Sequence, residues 1–169
     1  MEDYKRMKDD KRQNVLSKID FFCAMALLVS KRSKDPNSQV GAVIVSPDND
    51  RILSVGYNGF PNGISDDDFP WVRTAENEMD TKYPYVIHAE MNAILNFRGD
   101  LKALNGATIY TTLFPCHECT KAIIQTGIKK IVYINNYYSG SIDNQEAIRM
   151  LDAVGVEYIE HKLSDTITL

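Results

Sequence analysis

The chain has 169 residues, a length typical of one domain with a substantial core. Its 19 basic and 23 acidic residues give a net charge of −4, which argues against a broad nucleic-acid-binding surface but not against a small anionic ligand. No apolar run approaches the length of a membrane span, and residues 1–12 lack the apolar core of a signal peptide. Three cysteines, two of them in a C-x-x-C, are typical of a reduced chain with a metal site. We therefore expect a cytoplasmic protein that binds neither nucleic acid nor membrane.

The first half of the chain predicts a helix followed by a β-hairpin. Residues 17–32 form an apolar helical stretch with Ser17 as its N-cap, and Pro36 breaks the chain after it. Residues 40–45 and 52–57 read as short strands joined by a turn at 47–50. A polar segment then runs from residue 59 to about residue 86, with a short helix expected within 71–82. Loops of this length are commonly functional or disordered.

The second half predicts alternating helices and strands. A helix opens at His88 and ends near Gly99, a second opens at Pro115 and stops at Gly127, and a third covers 143–153. Strands are expected at 107–112, 131–134 and 156–159. The order α-β-β-α-β-α-β-α-β implies a mostly parallel sheet covered on both faces. We therefore predict an α/β domain over residues 1–169, a three-layer α-β-α sandwich with a five-stranded mixed sheet and a core at about 17–160.

Two short motifs, His88-Ala89-Glu90 and Pro115-Cys116-His117-Glu118-Cys119, predict a metal site. Cysteines three apart share one face of a helical turn, so both sulfurs can reach one ion. His88 as a third ligand leaves one tetrahedral position open, which is the arrangement of catalytic zinc sites. Glu90 stands close enough to that position to move a proton, and burial there should raise its pKa.

Other readings of these residues remain open on the sequence alone. Taken singly, His88 could be a core histidine and Glu90 a carboxylate favoured by the helix dipole. His117 is a rival ligand, but it lies about 100° round the helix from Cys116 and should point away. Cys23 lies in an apolar helical stretch, which favours plain core packing. The C-x-x-C downstream of a strand favours the catalytic interpretation.

The chain resembles the cytidine deaminase superfamily and, within it, the deoxycytidylate (dCMP) deaminases. The zinc motifs H-x-E and P-C-x-x-C specify only the superfamily. Two further segments point to the nucleotide branch: Arg32-Ser33-Lys34-Asp35-Pro36 and Gly56-Tyr57-Asn58-Gly59-Phe60-Pro61-Asn62-Gly63. The similarity spans nearly the whole chain, apart from the first dozen residues and the tail after residue 159. It implies the cytidine deaminase-like fold.

The resemblance also implies an activity, which is hydrolytic deamination of dCMP to dUMP and ammonia, supplying dUMP for dTTP synthesis. It implies that His88, Cys116 and Cys119 bind one zinc ion and that Glu90 is the proton shuttle. The same residues leave two alternative functions open. One is a deaminase of nucleic-acid bases, and the other is a non-catalytic nucleotide binder with a structural zinc.

The resemblance assigns substrate contacts to residues spread along the chain. Asn58 would bind the sugar 3′-hydroxyl, although a turn residue before Gly59 is the plainer reading. The backbone around Ala89 would meet the base carbonyl, and Tyr137 could close over the nucleotide. The base pocket would be lined by Val43, Ile87 and Leu113, and the first candidates for phosphate donors are Arg32, Ser33 and Lys34.

Members of the regulated type are homohexamers, activated by dCTP and inhibited by dTTP. In such members the segment corresponding to residues 59–86 carries the effector site, where Mg²⁺ accompanies the triphosphate. The candidates in this chain combine glycines, carboxylates and a guanidinium: Gly59, Phe60, Gly63, Asp66, Asp67 and Arg73. The alternative is a segment that merely covers a subunit interface.

Overall fold

The computed structural model describes residue 12, residues 14–48 and residues 50–164. The helices are α1 (Lys18–Ser30), α2 (Ala89–Asn96), α3 (His117–Gln125) and α4 (Ile142–Val154). The strands are β1 (Gly41–Val45), β2 (Ile52–Tyr57), β3 (Thr108–Leu113), β4 (Lys130–Asn135) and β5 (Glu157–Glu160). This is the predicted element order. No helix within this part of the chain has the length and apolarity needed to cross a membrane.

All five strands form one sheet in the order β2-β1-β3-β4-β5. Strand β1 pairs antiparallel with both β2 and β3, while β3, β4 and β5 pair in parallel. Four strands therefore run in one direction and β1 opposes them, which confirms the predicted mixed sheet. The antiparallel β1–β2 pair confirms the predicted hairpin and forms one end of the sheet, although residue 49 of the predicted turn at 47–50 lies outside the described residues.

Local signals explain where the helices begin and end. Ser17 caps α1 by accepting a hydrogen bond from the backbone N–H of Asp20 at 3.1 Å. Gly155 adopts a left-handed φ of 65° and ends α4. The prediction that α2 continues to near Gly99 is wrong, because Phe97 leaves the helix in an extended conformation and packs against the core. The short helix expected within 71–82 is a single 3₁₀ turn, Glu78–Asp80.

The sheet separates two apolar clusters, so helices cover both of its faces. Alternation along β1 sends successive side chains to opposite faces. Val43 and Val45 pack under α1, with Phe22 and Ala26. The larger cluster joins the other face of the sheet to α2, α3 and α4; it includes Ala42, Ile44, Ala93, Ile109, Ile123, Ile131 and Leu151. This is the predicted three-layer sandwich.

Helix α2 lies unusually close to strand β2. A Cβ added to Gly56 would stand 2.2 Å from the backbone nitrogen of Ala93 and 2.4 Å from the carbonyl oxygen of Ala89. Only glycine allows the two backbones to approach in this way. Ser54 adds a hydrogen bond from its hydroxyl to the Ala93 carbonyl at 2.6 Å. The start of α2, which carries Glu90, is therefore fixed against the sheet.

Candidate active site

Two helix starts bring the three predicted metal ligands together. His88 is the N-cap of α2, Cys116 is the N-cap of α3, and Cys119 lies in the first turn of α3. The Nδ1 atom of His88 lies 3.3 Å from the Sγ of Cys116 and 3.5 Å from the Sγ of Cys119. All three ligand atoms lie within 4.8 Å of one another. Three donors this close can share one tetrahedral ion.

The three side chains are linked by close contacts in which one group can share its proton with the next, and these contacts shift their pKa values. The pKa of Cys116 is lowered to about 4, chiefly by a hydrogen bond from Cys119. The same contact raises the pKa of Cys119. Contact with Cys116 raises the pKa of His88 to about 9. A bound cation would replace these shared protons, since thiolates and neutral imidazole are its ligands. One nitrogen and two sulfurs fit Zn²⁺.

The metal ligands are exposed to different degrees. Cys119 is buried, Cys116 is half-buried and His88 is exposed. His88 and Cys116 also line a cavity of about 450 Å³. An ion held by the three side chains would therefore have protein behind it and the cavity in front, so that a small molecule could occupy the fourth position.

Glu90 is a buried carboxylate in the same cavity wall. Glu90 is only 4% exposed, and its Oε2 lies 3.7 Å from the Sγ of Cys119. Burial is the main cause that raises its pKa above the ordinary glutamate value. A carboxyl group with a raised pKa, next to the metal ligands, is suited to accept a proton and to donate it again.

Three of the residues predicted to bind substrate line this cavity: Asn58, Ala89 and Leu113. Ala89 is the first residue of α2, where a backbone N–H has no partner within the helix and is available to a ligand. The buried Asn58 side chain is held by loop residues on both of its polar atoms. Its Oδ1 accepts from the Val40 backbone N–H at 2.8 Å, and its Nδ2 donates to the Ser38 carbonyl at 2.8 Å.

Two of the predicted base-pocket residues lie away from the cavity wall. Val43 points to the α1 face of the sheet, because alternation along β1 sends it away from the metal ligands. Ile87 bonds through its backbone to Gly59, with N···O distances of 2.9 and 3.1 Å, and is not among the residues that line the cavity. Buried Phe114, next to Leu113, provides apolar wall instead.

The predicted phosphate donors also lie elsewhere. Arg32 is exposed at the end of α1, and Lys34 forms an exposed ion pair with Asp66. The Ser33 hydroxyl donates to the carbonyl oxygen of Asn58 at 2.9 Å, so it supports a residue of the cavity wall without lining the cavity itself. Tyr137 is 78% exposed, and its neighbour Tyr138 lines the cavity in its place.

The predicted effector segment is built around an aromatic cluster. The rings of Phe60 and Trp71 have centroids 4.1 Å apart, and Phe69 extends the cluster. The Trp71 indole N–H donates to the Asp66 carbonyl at 2.9 Å. Gly63 has a left-handed φ of 95° that favours glycine, and Asp67 is exposed. The long segment is therefore an ordered part of the fold.

Arg73, predicted as an effector contact, lines the same cavity as His88 and Cys116. Its guanidinium donates to the Ser38 hydroxyl at 2.6 Å. Sequence reasoning also gave no role to Asp35 and Lys82, which form a buried ion pair in the cavity wall. Asp35 lies in a segment that carries the family resemblance, but the sequence does not show that this segment meets Lys82.

His117 is turned away from the metal ligands, as its helical position predicted. Its Nδ1 contacts Asp143, and its Nε2 lies 2.9 Å from a carboxylate oxygen of Glu118. The contact with Asp143 is the chief cause that raises the pKa of His117. Cys23 is fully buried on helix α1, and burial raises its pKa to about 12.

The chain is similar in sequence to deoxycytidylate deaminases and in structure to a solved dCMP deaminase. It is 50% identical over 149 residues to human deoxycytidylate deaminase, covering 88% of this chain and 82% of the human one. It is 37% identical over 149 residues to the deoxycytidylate deaminase of phage T4, covering 67% and 75% of the two chains. The dCMP deaminase of cyanophage S-TIM5, solved in complex with dCMP and dUMP, superimposes with a TM-score of 0.67 at 30% identity, covering 88% of this chain and all of that one.

The family model described as the cytidine and deoxycytidylate deaminase zinc-binding region matches residues 16–135, which include all three metal ligands and Glu90. With this match over most of its length, the chain belongs to the cytidine and deoxycytidylate deaminase family.

Proposed function

We propose that the protein is a zinc-dependent dCMP deaminase that converts dCMP and water to dUMP and ammonia. The observation that carries this proposal is the His-Cys-Cys cluster, which faces a cavity beside the buried carboxylate of Glu90. The names of the relatives and the dCMP complex of the cyanophage enzyme support the choice of nucleotide. The dUMP product would supply dTTP synthesis.

The metal ligands and Glu90 divide the chemistry between them. His88, Cys116 and Cys119 would hold the zinc ion, which would supply a water of lowered pKa. Glu90 would take one proton from that water and deliver it to N3 of the base, and would then take the remaining proton of the attacking oxygen and deliver it to the departing amine. The water oxygen becomes the carbonyl oxygen at C4, and the bond from C4 to the amine breaks as ammonia leaves. The raised pKa of Glu90 suits both transfers.

The cavity wall orients the base and the sugar. The backbone N–H of Ala89 would donate to the base carbonyl, a role supported by its position at the start of α2 and in the cavity wall. Leu113 and Phe114 offer an apolar surface to the ring and exclude water from it. Asn58 offers its side-chain amide to the sugar hydroxyl. The proposed roles thus fall on residues from three different elements that meet at one cavity.

Arg73 is the strongest candidate for the phosphate donor. A phosphate monoester carries a charge of about −1.5 to −2 near neutral pH, and a guanidinium can bind it through two parallel hydrogen bonds. The Ser38 hydroxyl that Arg73 contacts is neutral, so this contact does not cancel the positive charge. Lys82 adds a second cation to the same wall, although Asp35 neutralises it. Arg73 therefore replaces Arg32, Ser33 and Lys34 in the proposed phosphate site.

A side-by-side assay of ammonia release tests the proposed function. The zinc-loaded protein should deaminate dCMP at least about tenfold more efficiently than deoxycytidine, because Arg73 gains a charge-assisted partner only from the phosphate. The variant Arg73→Ala should lose most of this preference while its turnover of deoxycytidine stays within about threefold of the parent. Preferential turnover of single-stranded DNA would favour the nucleic-acid alternative, and no turnover of any cytosine compound would favour the non-catalytic one.

We further propose that the enzyme is a homohexamer that dCTP with Mg²⁺ activates and dTTP inhibits. The effector would lie on the long segment, near Gly59, Phe60, Gly63, Asp66 and Asp67. This segment touches the cavity wall at both of its ends, since it begins beside Asn58 and carries Arg73 and Lys82. A ligand that shifts the segment therefore has a short physical path to the substrate.

Steady-state kinetics test this regulation. The dCMP saturation curve should be sigmoidal, become hyperbolic when dCTP and Mg²⁺ are added, and move to a higher midpoint with dTTP. The oligomeric state is measured in the same samples by light scattering. If an active oligomer shows hyperbolic kinetics that neither triphosphate changes, the proposed regulation is contradicted. The long segment would then only cover a subunit interface.

Zinc analysis of two cysteine variants tests the metal ligands. The purified protein should carry one zinc ion per chain, and Cys116→Ser should lose it because a hydroxyl replaces a thiolate ligand. Cys23→Ser is the matched control, since Cys23 is buried away from the cluster and should leave the zinc content unchanged. Equal loss of zinc in both variants would contradict the ligand assignment.

The variant Glu90→Gln tests the proton shuttle. The amide keeps the shape of the side chain but cannot carry the proton, so turnover of dCMP should fall by at least about 10², the low end of general acid–base effects. Binding of dUMP, measured by calorimetry, and zinc content should stay close to the parent. Turnover within about tenfold of the parent would remove Glu90 from the mechanism.

A further inference from the structure

The buried carboxylate of Asp35 is a hub for four hydrogen-bond donors. Its side chain is 1% exposed, and its Oδ1 accepts from the backbone N–H groups of Asn37 at 2.8 Å and Ser38 at 3.1 Å. Its Oδ2 accepts from the Lys82 ammonium, whose side chain is 7% exposed, and from the Nδ2 of Asn58 at 3.4 Å. Both oxygens of the carboxylate are therefore engaged by donors alone.

The hub joins three separate parts of the chain at the cavity wall. Asp35 and Ser38 come from the loop after α1, Asn58 follows β2, and Lys82 belongs to the long segment. All four residues line the cavity that His88 and Cys116 also line. Ser38 extends the network by accepting a hydrogen bond from Arg73 at 2.6 Å.

The contacts of Asn58 determine what its side chain can offer a ligand. An amide side chain has two donor hydrogens and two acceptor positions. Both donors are directed to protein oxygens, those of Asp35 and the Ser38 carbonyl. The backbone N–H of Val40 takes one acceptor position on Oδ1. What remains for a ligand is an acceptor, so the complementary ligand group is a hydroxyl that donates.

We propose that Asp35 is a positioning residue for sugar recognition. It fixes the Asn58 amide so that Oδ1 accepts a hydrogen bond from a sugar hydroxyl, and it holds the Lys82 ammonium in the same wall. This inference rests on the proposed function and assigns the residue that determines how the enzyme recognises the sugar. Stability alone does not account for the pair, because apolar residues of similar volume often replace a buried ion pair without loss.

The chemistry of the hub suggests a specific substitution. Asparagine at position 35 has one acceptor oxygen and one NH₂ group. Two of the four groups that donate to Asp35 would then face the NH₂ group, which cannot accept their hydrogen bonds. The single variant Asp35→Asn also leaves the buried Lys82 charge unpaired, which endangers folding. The double variant Asp35→Asn with Lys82→Met removes that charge and leaves a neutral pair, while the Asn58 amide still loses its carboxylate partner.

The experiment compares dCMP with 2′,3′-dideoxy-CMP, which lacks the sugar 3′-hydroxyl. The parent should prefer dCMP in kcat/KM by at least about tenfold, the effect expected of one unpaired buried acceptor. In the double variant this preference should shrink to within about threefold, with one zinc ion per chain retained. The matched control is Asp50→Asn with Lys18→Met, the same chemical change in an exposed ion pair, and it should keep the parental preference.

Two results would overturn the inference. A folded, zinc-loaded double variant that keeps the parental preference would limit Asp35 to a structural role, as would an equal loss of preference in the Asp50 and Lys18 control. A parent that does not turn over dCMP would refute the proposed function instead. The positioning role is then tested by calorimetry, where the affinity ratio between dUMP and its 2′,3′-dideoxy analogue should fall in the double variant only.

Discussion

The site depends on one constraint, which is that the N-termini of α2 and α3 converge on the same point beside the sheet. His88 and Cys116 each stand at the start of a helix, and their ligand atoms lie 3.3 Å apart. Helix N-termini carry partial positive charge and favour thiolate over thiol, so the fold prepares the sulfurs for a cation. The close packing of Gly56 against α2 holds one of these helix starts in place.

A second constraint shapes the rest of the cavity. The loop after α1 is tied to the long segment by several contacts, which include the buried Asp35–Lys82 pair, the Ser38–Arg73 hydrogen bond and the exposed Lys34–Asp66 pair. The long segment is therefore part of the cavity wall. A stretch with little regular secondary structure thus has its own aromatic cluster and also lines the cavity beside His88 and Cys116.

The sequence predicted the features that local spacing encodes. The metal triad could be predicted because two ligands come from one helical turn and because His-x-Glu supplies a ligand and a carboxylate together. The element order followed from hydrophobic periodicity and from caps such as Ser17 and Gly155. These signals lie within a few residues of one another and need no knowledge of tertiary contacts.

The sequence did not reveal features that depend on register and long-range contacts. Val43 was predicted for the base pocket, but strand alternation places it under α1, and the pattern of a fully buried strand does not show which face is which. Arg32 and Lys34 are plausible phosphate donors by charge alone. Only the fold shows that Arg73, about forty positions later, reaches the cavity instead. The Asp35–Lys82 pair was missed for the same reason, since 47 positions separate its partners.

X-ray absorption at the zinc edge of the purified protein tests the central claim most directly. The account predicts a four-coordinate ion with two sulfurs at about 2.3 Å and two light atoms at about 2.0–2.1 Å, which are the His88 nitrogen and an exchangeable oxygen. A shell without sulfur, or one with three or more sulfurs, would contradict a His-Cys-Cys site that is open to the cavity.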